Sequence, residues 1–337
     1  MKHLRKRWQF WLGMGISLVL VVLLVLNVDV DQALAALRQM NVLYLAPAAL
    51  IVLAAQVART YRWRLLFYPR RGLPFGRVFN VLNIGYLLNN LPARVGDLAR
   101  PILLGYTEGT SVAGGLSTIL IERLLDTLTI VLLLFALLPF VPVPPEVQVG
   151  GTLIAVVLIA LAAILVLLSF QRELGLRLLH WLAGSFPSLD RPAVYGAYDA
   201  VIDSLAVLRS PWPGLGVLAW TAVIWTLALL LDYVLIIAFD PALPLTAAVL
   251  VLCITGLSMT IPASPSSIGT FHWAVILALS VFGVEYDLAF TIAVVIHLCA
   301  FGMISIIGLA CMWAESLSYG DITRRIKETT NVSKLEE

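Results

Sequence analysis

The chain is short of charge. Asp, Glu, Lys and Arg together make up 12% of its 337 residues, while hydrophobic residues make up 61%. Soluble domains carry about 25% charged and roughly 45–50% apolar residues, so a soluble fold of this size could not cover its apolar surface. Cysteine is scarce too. Cys253, Cys299 and Cys311 all lie in apolar runs, with no CxxC and no Cys/His ligand spacing, which excludes a disulfide framework and a zinc site. No P-loop or nucleotide-sugar motif occurs, and neither a cofactor, a metal nor a nucleic-acid partner is expected. Between residues 210 and 323 there is no Lys or Arg at all.

What the chain has instead is long apolar segments, and it reads as an all-α polytopic membrane protein, a single integral membrane domain over 1–315 with a polar tail over 316–337. The stretch from Trp8 to Val28 follows Lys2, Arg5, Lys6 and Arg7; nearer 20 apolar residues than the usual 7–15 of a signal peptide, it reads as a retained anchor. A second span is expected over 42–58, and further long apolar stretches cover 113–139, 150–169, 214–239, 243–261 and 288–313. Residues 171–210 mix charges with leucines and valines at helical spacing, as interfacial amphipathic helices do.

With both termini in the cytoplasm, the basic loops at 59–77, 92–112 and 171–213 and the tail all fall inside, and of 22 basic residues only Arg38 and Arg123 fall elsewhere. That orientation requires residues 78–105 to enter and return on one side, and 243–283 to do so on the other. Both break at proline, the first at Asn90-Leu91-Pro92-Ala93-Arg94 and the second at Ile261-Pro262-Ala263-Ser264-Pro265. Two re-entrant, broken-helix hairpins, each followed by one span (units 78–140 and 243–313), suggest an inverted repeat.

Polar residues concentrate at these breaks. The first carries Asn80, Asn83, Asn89, Asn90, Arg94, Asp97 and Arg100, and the following span carries Glu122, Arg123 and Asp126. Ionised groups at mid-bilayer cost roughly 2.5–3.5 kcal/mol each, so these must pair or line a wet cavity. Arg94 and Arg100 against Glu122 and Asp126 is the expected pairing. In the second break, Ser264 would cap a helix starting at Pro265, leaving Ser266, Ser267 and Gly269 around free N–H groups suited to an anion. His272, His297 and the lone acid Asp232 could titrate; a neutral, hydrogen-bonded histidine is the plainer alternative.

The strings Asn90-Leu91-Pro92-Ala93-Arg94-Val95-Gly96-Asp97-Leu98-Ala99-Arg100 and Glu122-Arg123-Leu124-Leu125-Asp126, followed by the Pro262–Gly269 segment, resemble the flippase-like membrane domain of lysylphosphatidylglycerol synthases and of UPF0104-type proteins. The resemblance covers about residues 8–315. It implies a protein, not itself an enzyme, that moves a lipid with a polar, phosphate-bearing head group between leaflets of the plasma (inner) membrane, with Arg94, Asp97, Arg100, Glu122, Arg123, Asp126, Ser264, Ser266 and Gly269 at the matching positions. This chain departs from the family in the second break, which is poorer in glycine, and at His272, where an acid is usual. Only about 23 residues follow the last span, so aminoacyl transfer from tRNA is not expected. The alternative is a membrane enzyme, or a subunit accompanying one, in lipid-linked glycan or glycolipid synthesis.

Overall fold

A computed structural model describes residues 28–70, 72–91, 95–141, 171–186, 206–259 and 267–335, with scattered helical positions between 152 and 202. The expected anchor over 8–28, most of the 150–169 span, Arg94, Ser264 and Ser266 lie outside the described residues. The described residues are helical throughout, with no strand among them.

The helices are α1 (Val30–Gln39), α2 (Leu45–Leu66), α3 (Phe75–Asn90), α4 (Gly96–Glu108), α5 (Val112–Leu137), α6 (Arg172–Ser185), α7 (Pro211–Ile237), α8 (Leu245–Ser258), α9 (Thr270–Ser280), α10 (Tyr286–Ala314, with a π-turn at Leu298–Gly302) and α11 (Tyr319–Leu335). Among the described residues, three segments are long and apolar enough to cross a membrane: Val42–Leu66, Pro211–Ile237 and Tyr286–Ala314. Helix α5 has the length, at 26 residues, but three ionised side chains interrupt its apolar run. At 16, 13, 14 and 11 residues, α3, α4, α8 and α9 are each shorter than the roughly 20 residues a bilayer core needs.

Packing is reciprocal between the two halves. Helix α2 lies along α7; α3 packs on α2 as α8 packs on α7; α4 returns along α3 as α9 returns along α8; and α3 packs on α10 as α8 packs on α5. Each broken pair thus leans on the long helix of the other half. Small residues permit these crossings. A Cβ on Gly308 would meet Leu87 Cβ at 2.6 Å and the Asn83 carbonyl at 2.8 Å, and one on Gly256 would meet Ile130 Cδ1 at 2.7 Å. At the α3–α4 crossing, a Cβ on Gly85 would overlap the Arg100 stem, and one on Gly96 would overlap the Gly85 carbonyl.

One sequence expectation needs correction. The second span does not stop at Ala58: α2 continues to Leu66 and carries Arg59, Arg62 and Arg64 on a helix, because carboxylates inside the bundle receive Arg62. The helix described at the second break begins at Thr270, with Gly269 at its cap position at φ 93°, a backbone conformation that favours glycine; the start expected at Ser264 and Pro265 lies outside the described residues. In the polar tail, α11 packs on α4 and buries Ile322.

Candidate functional site

The centre of the first half is a knot of ions. Glu122, on α5, takes one arginine on each oxygen: Arg62 Nη2 donates to Oε1 at 2.9 Å and Arg100 Nη2 to Oε2 at 3.0 Å. Arg62 also grips Asp126 with both terminal nitrogens, at 2.6 and 3.1 Å, and reaches the Thr221 hydroxyl at 3.4 Å. Trp225 Nε1 donates to Asp126 at 3.2 Å and the Tyr86 hydroxyl to Glu122 at 3.4 Å. Arg100 lies over the Trp63 and Tyr86 rings, 4.3 and 5.4 Å from their centroids. Five helices (α2, α3, α4, α5 and α7) therefore meet through side chains that no lipid could satisfy.

The knot has a dry interior and an open rim. The side chains of Arg62, Arg100 and Glu122 are 1%, 1% and 4% exposed, whereas those of Asp126, Asp97 and Arg123 reach 23%, 40% and 54%. On the rim Arg123 Nη2 donates to both Asp97 oxygens at 3.0 and 3.1 Å, and Asn89 Nδ2 supports Asp97 at 2.9 Å.

Sequence reasoning anticipated the Arg100–Glu122 pair. It missed Arg62, which is the arginine that pairs with Asp126 among the described residues. The signal was present: Val52, Ala55, Gln56, Arg59, Arg62, Trp63 and Leu66 recur at helical spacing across the supposed end of the span. The asparagines are less free than expected. Asn80 donates to Glu315 at 2.7 Å, Asn83 to the Phe79 carbonyl at 2.8 Å, and Asn90 to the Ser305 hydroxyl at 3.1 Å and the Phe301 carbonyl at 3.4 Å. Asn80, Asn83 and Asn90 follow one face of α3, and Asn80 and Asn90 bond to residues at the Glu315 and π-turn ends of the α10 segment.

The second break holds no ion among its described residues. Its chemistry is aromatic. His272 and His297, 25 residues apart in sequence, stack with centroids 4.9 Å apart and planes within 9°; Phe301 covers the other side of His297 at 4.3 Å, and Phe271 meets it edge-on at 5.1 Å. The Gly269 N–H donates to His272 Nδ1 at 3.4 Å, so one amide of this helix start is already taken, while His297 Nδ1 is buried with no partner. Asp232 is buried on α7, and no hydrogen bond to it occurs among the described residues. No group of three or more His, Cys, Asp and Glu side chains among the described residues could hold a metal ion.

This arrangement coincides with a match to known proteins. The family described as lysylphosphatidylglycerol synthase TM region matches residues 10–308, a stretch that includes the knot, its rim and the histidine pair. The chain belongs to this family. It is also 25% identical over 296 residues to a UPF0104 membrane protein of Methanothermobacter thermautotrophicus, covering 82% of this chain and 87% of that one. No solved structure matches. Family membership and the three long apolar helices make this a membrane protein.

Proposed function

We propose that this protein is a plasma-membrane transporter that carries a lipid with a polar, phosphate-bearing head group between leaflets, with both termini in the cytoplasm. The observation that carries this reading is the ion knot with its open rim. Ionised groups at membrane depth are tolerated against protein or water and not against acyl chains. The partly exposed Asp97, Arg123 and Asp126 therefore border a polar space in which a head group can sit while its tails stay in the bilayer.

In this reading α3–α4 and α8–α9 are re-entrant hairpins entering from opposite sides, and the reciprocal packing is that of an inverted repeat. Glu122 holds Arg62 and Arg100 in place when no cargo is bound. Arg123, whose carboxylate partner has Asn89 as a second donor, can exchange Asp97 for a phosphate without orphaning the acid. Arg94, Ser264, Ser266 and Gly269 complete the head-group contacts from the two breaks, with Asn90, His272 and His297 beside them.

Leaflet-resolved lipid analysis of cells lacking the protein tests the reading. Unchanged lipid totals with one phospholipid redistributed between leaflets are expected. A lipid species missing altogether would show synthesis in place of movement.

A further inference from the structure

Arg59 occupies an unusual position on α2. Its neighbours one turn away on either side, Ala55, Gln56, Arg62 and Trp63, are all buried, which places Arg59 on the inward face of the helix. Yet Arg59 itself is partly exposed. The lipid-facing stripe of α2 runs elsewhere, through the exposed Leu50, Leu53 and Tyr61. The opening that reaches Arg59 is therefore a crevice inside the bundle.

Charge accounting gives Arg59 a task. Among the described residues of this region, Arg59, Arg62, Arg100 and Arg123 face Asp97, Glu122 and Asp126, so one positive charge remains over. The carboxylates are all engaged by the other three arginines. Among the described residues Arg59 has only the face of Tyr86, 5.7 Å from its guanidinium carbon, and that ring is shared with Arg100. A guanidinium held inside a membrane protein without an anion is costly, and its planar fork suits a phosphate. One turn away Gln56 is fully buried, and neither of its amide atoms has a hydrogen-bond partner among the described residues.

We propose that Arg59, backed by Tyr86, is the residue that receives the phosphate of the lipid head group. This rests on the transport reading above and names the contact it requires. Arg62 and Arg100 then serve as fixed scaffolding, and Arg59 can take the phosphate without releasing a carboxylate.

Native mass spectrometry of the purified full chain with short-chain phosphatidic acid, an uncharged diacylglycerol glucoside and inorganic phosphate tests the assignment. Wild type should retain the phospholipid in preference to the glucoside. Arg59→Gln should weaken phospholipid retention at least tenfold, and Arg59→Lys should restore part of it; unchanged thermal unfolding of both variants shows that the fold is kept. Displacement of the phospholipid by inorganic phosphate supports phosphate as the recognised group, and tighter retention of the lipid than of free phosphate identifies the lipid as its source. Equal phospholipid retention by wild type and Arg59→Gln overturns the assignment, and if wild type still moves lipid between leaflets the transport reading survives it. Selective loss in Arg59→Gln, with no lipid movement by wild type, sustains the phosphate site and sinks transport.

Discussion

The two halves of this molecule share a packing scheme and differ in chemistry. In the first, α3 and α4 deliver Tyr86 and Arg100 to a carboxylate on α5. In the second, α9 and α10 bring two imidazoles and two phenylalanines together with no ion among the described residues. Small residues at the crossings set the shared scheme, and the side chains at the breaks set the difference. The scaffold can therefore be disturbed in either half, whereas loss of one partner should leave buried charge only in the first.

The largest effect is expected at Glu122. Glu122→Ala leaves Arg62 and Arg100 buried without their shared carboxylate, and breaking such a pair costs about 3–5 kcal/mol. Thermal unfolding in detergent should report a loss of that order, and a change under 1 kcal/mol would show that water already compensates the arginines. Next come the glycines. Gly308→Ala drives a methyl into the backbone and stem of α3, at a cost of about 1–3 kcal/mol. Gly256→Ala meets only the movable end of Ile130. It should cost clearly less, and equal losses would contradict the packing described for the two crossings.

His297→Phe sharpens the contrast with Glu122. It keeps a ring between His272 and Phe301 and removes a buried nitrogen that has no partner, so stability should shift by less than about 1 kcal/mol in either direction. A loss as large as that of Glu122→Ala would mean that the pair performs a polar task.

The smallest effect belongs to the cap of α11. The Ser318 hydroxyl and amide donate to Asp321, at 2.6 and 3.1 Å, and the hydroxyl accepts the Asp321 N–H at 3.2 Å. The hydroxyl first and the amide second hold the Asp321 carboxyl below its ordinary value of 3.8. Its folded pKa being depressed, the cap contributes above pH 3.8 and fades as pH falls through the lowered value. Hydrogen-exchange protection of the first turn of α11, measured relative to the intrinsic rate at each pH, should fall at low pH in wild type and lose that dependence in Asp321→Ala.

Much of this architecture was legible in the sequence, for physical reasons that also explain what was not. Glu122 and Arg100 stand out because apolar residues surround them, and the breaks stand out because prolines and polar residues interrupt apolar segments. Arg62 was hidden by its company. Arg59, Arg64, Arg70 and Arg71 surround it, and a run of arginines after an apolar stretch reads as a cytoplasmic loop. Nothing demanded another cation, since Arg94, Arg100 and Arg123 already balanced Asp97, Glu122 and Asp126 on paper. The histidine stack was beyond sequence reasoning for a different reason: residues on two helices share a space only once α9 has folded back along α10.

The most direct test of the account follows fluorescently labelled phospholipid in vesicles containing the purified protein, with a membrane-impermeant reductant added outside. Bleaching that proceeds past the outer-leaflet plateau of protein-free vesicles, and that falls back toward it in Arg59→Gln, is the predicted result. A plateau identical with and without the wild-type protein would contradict it.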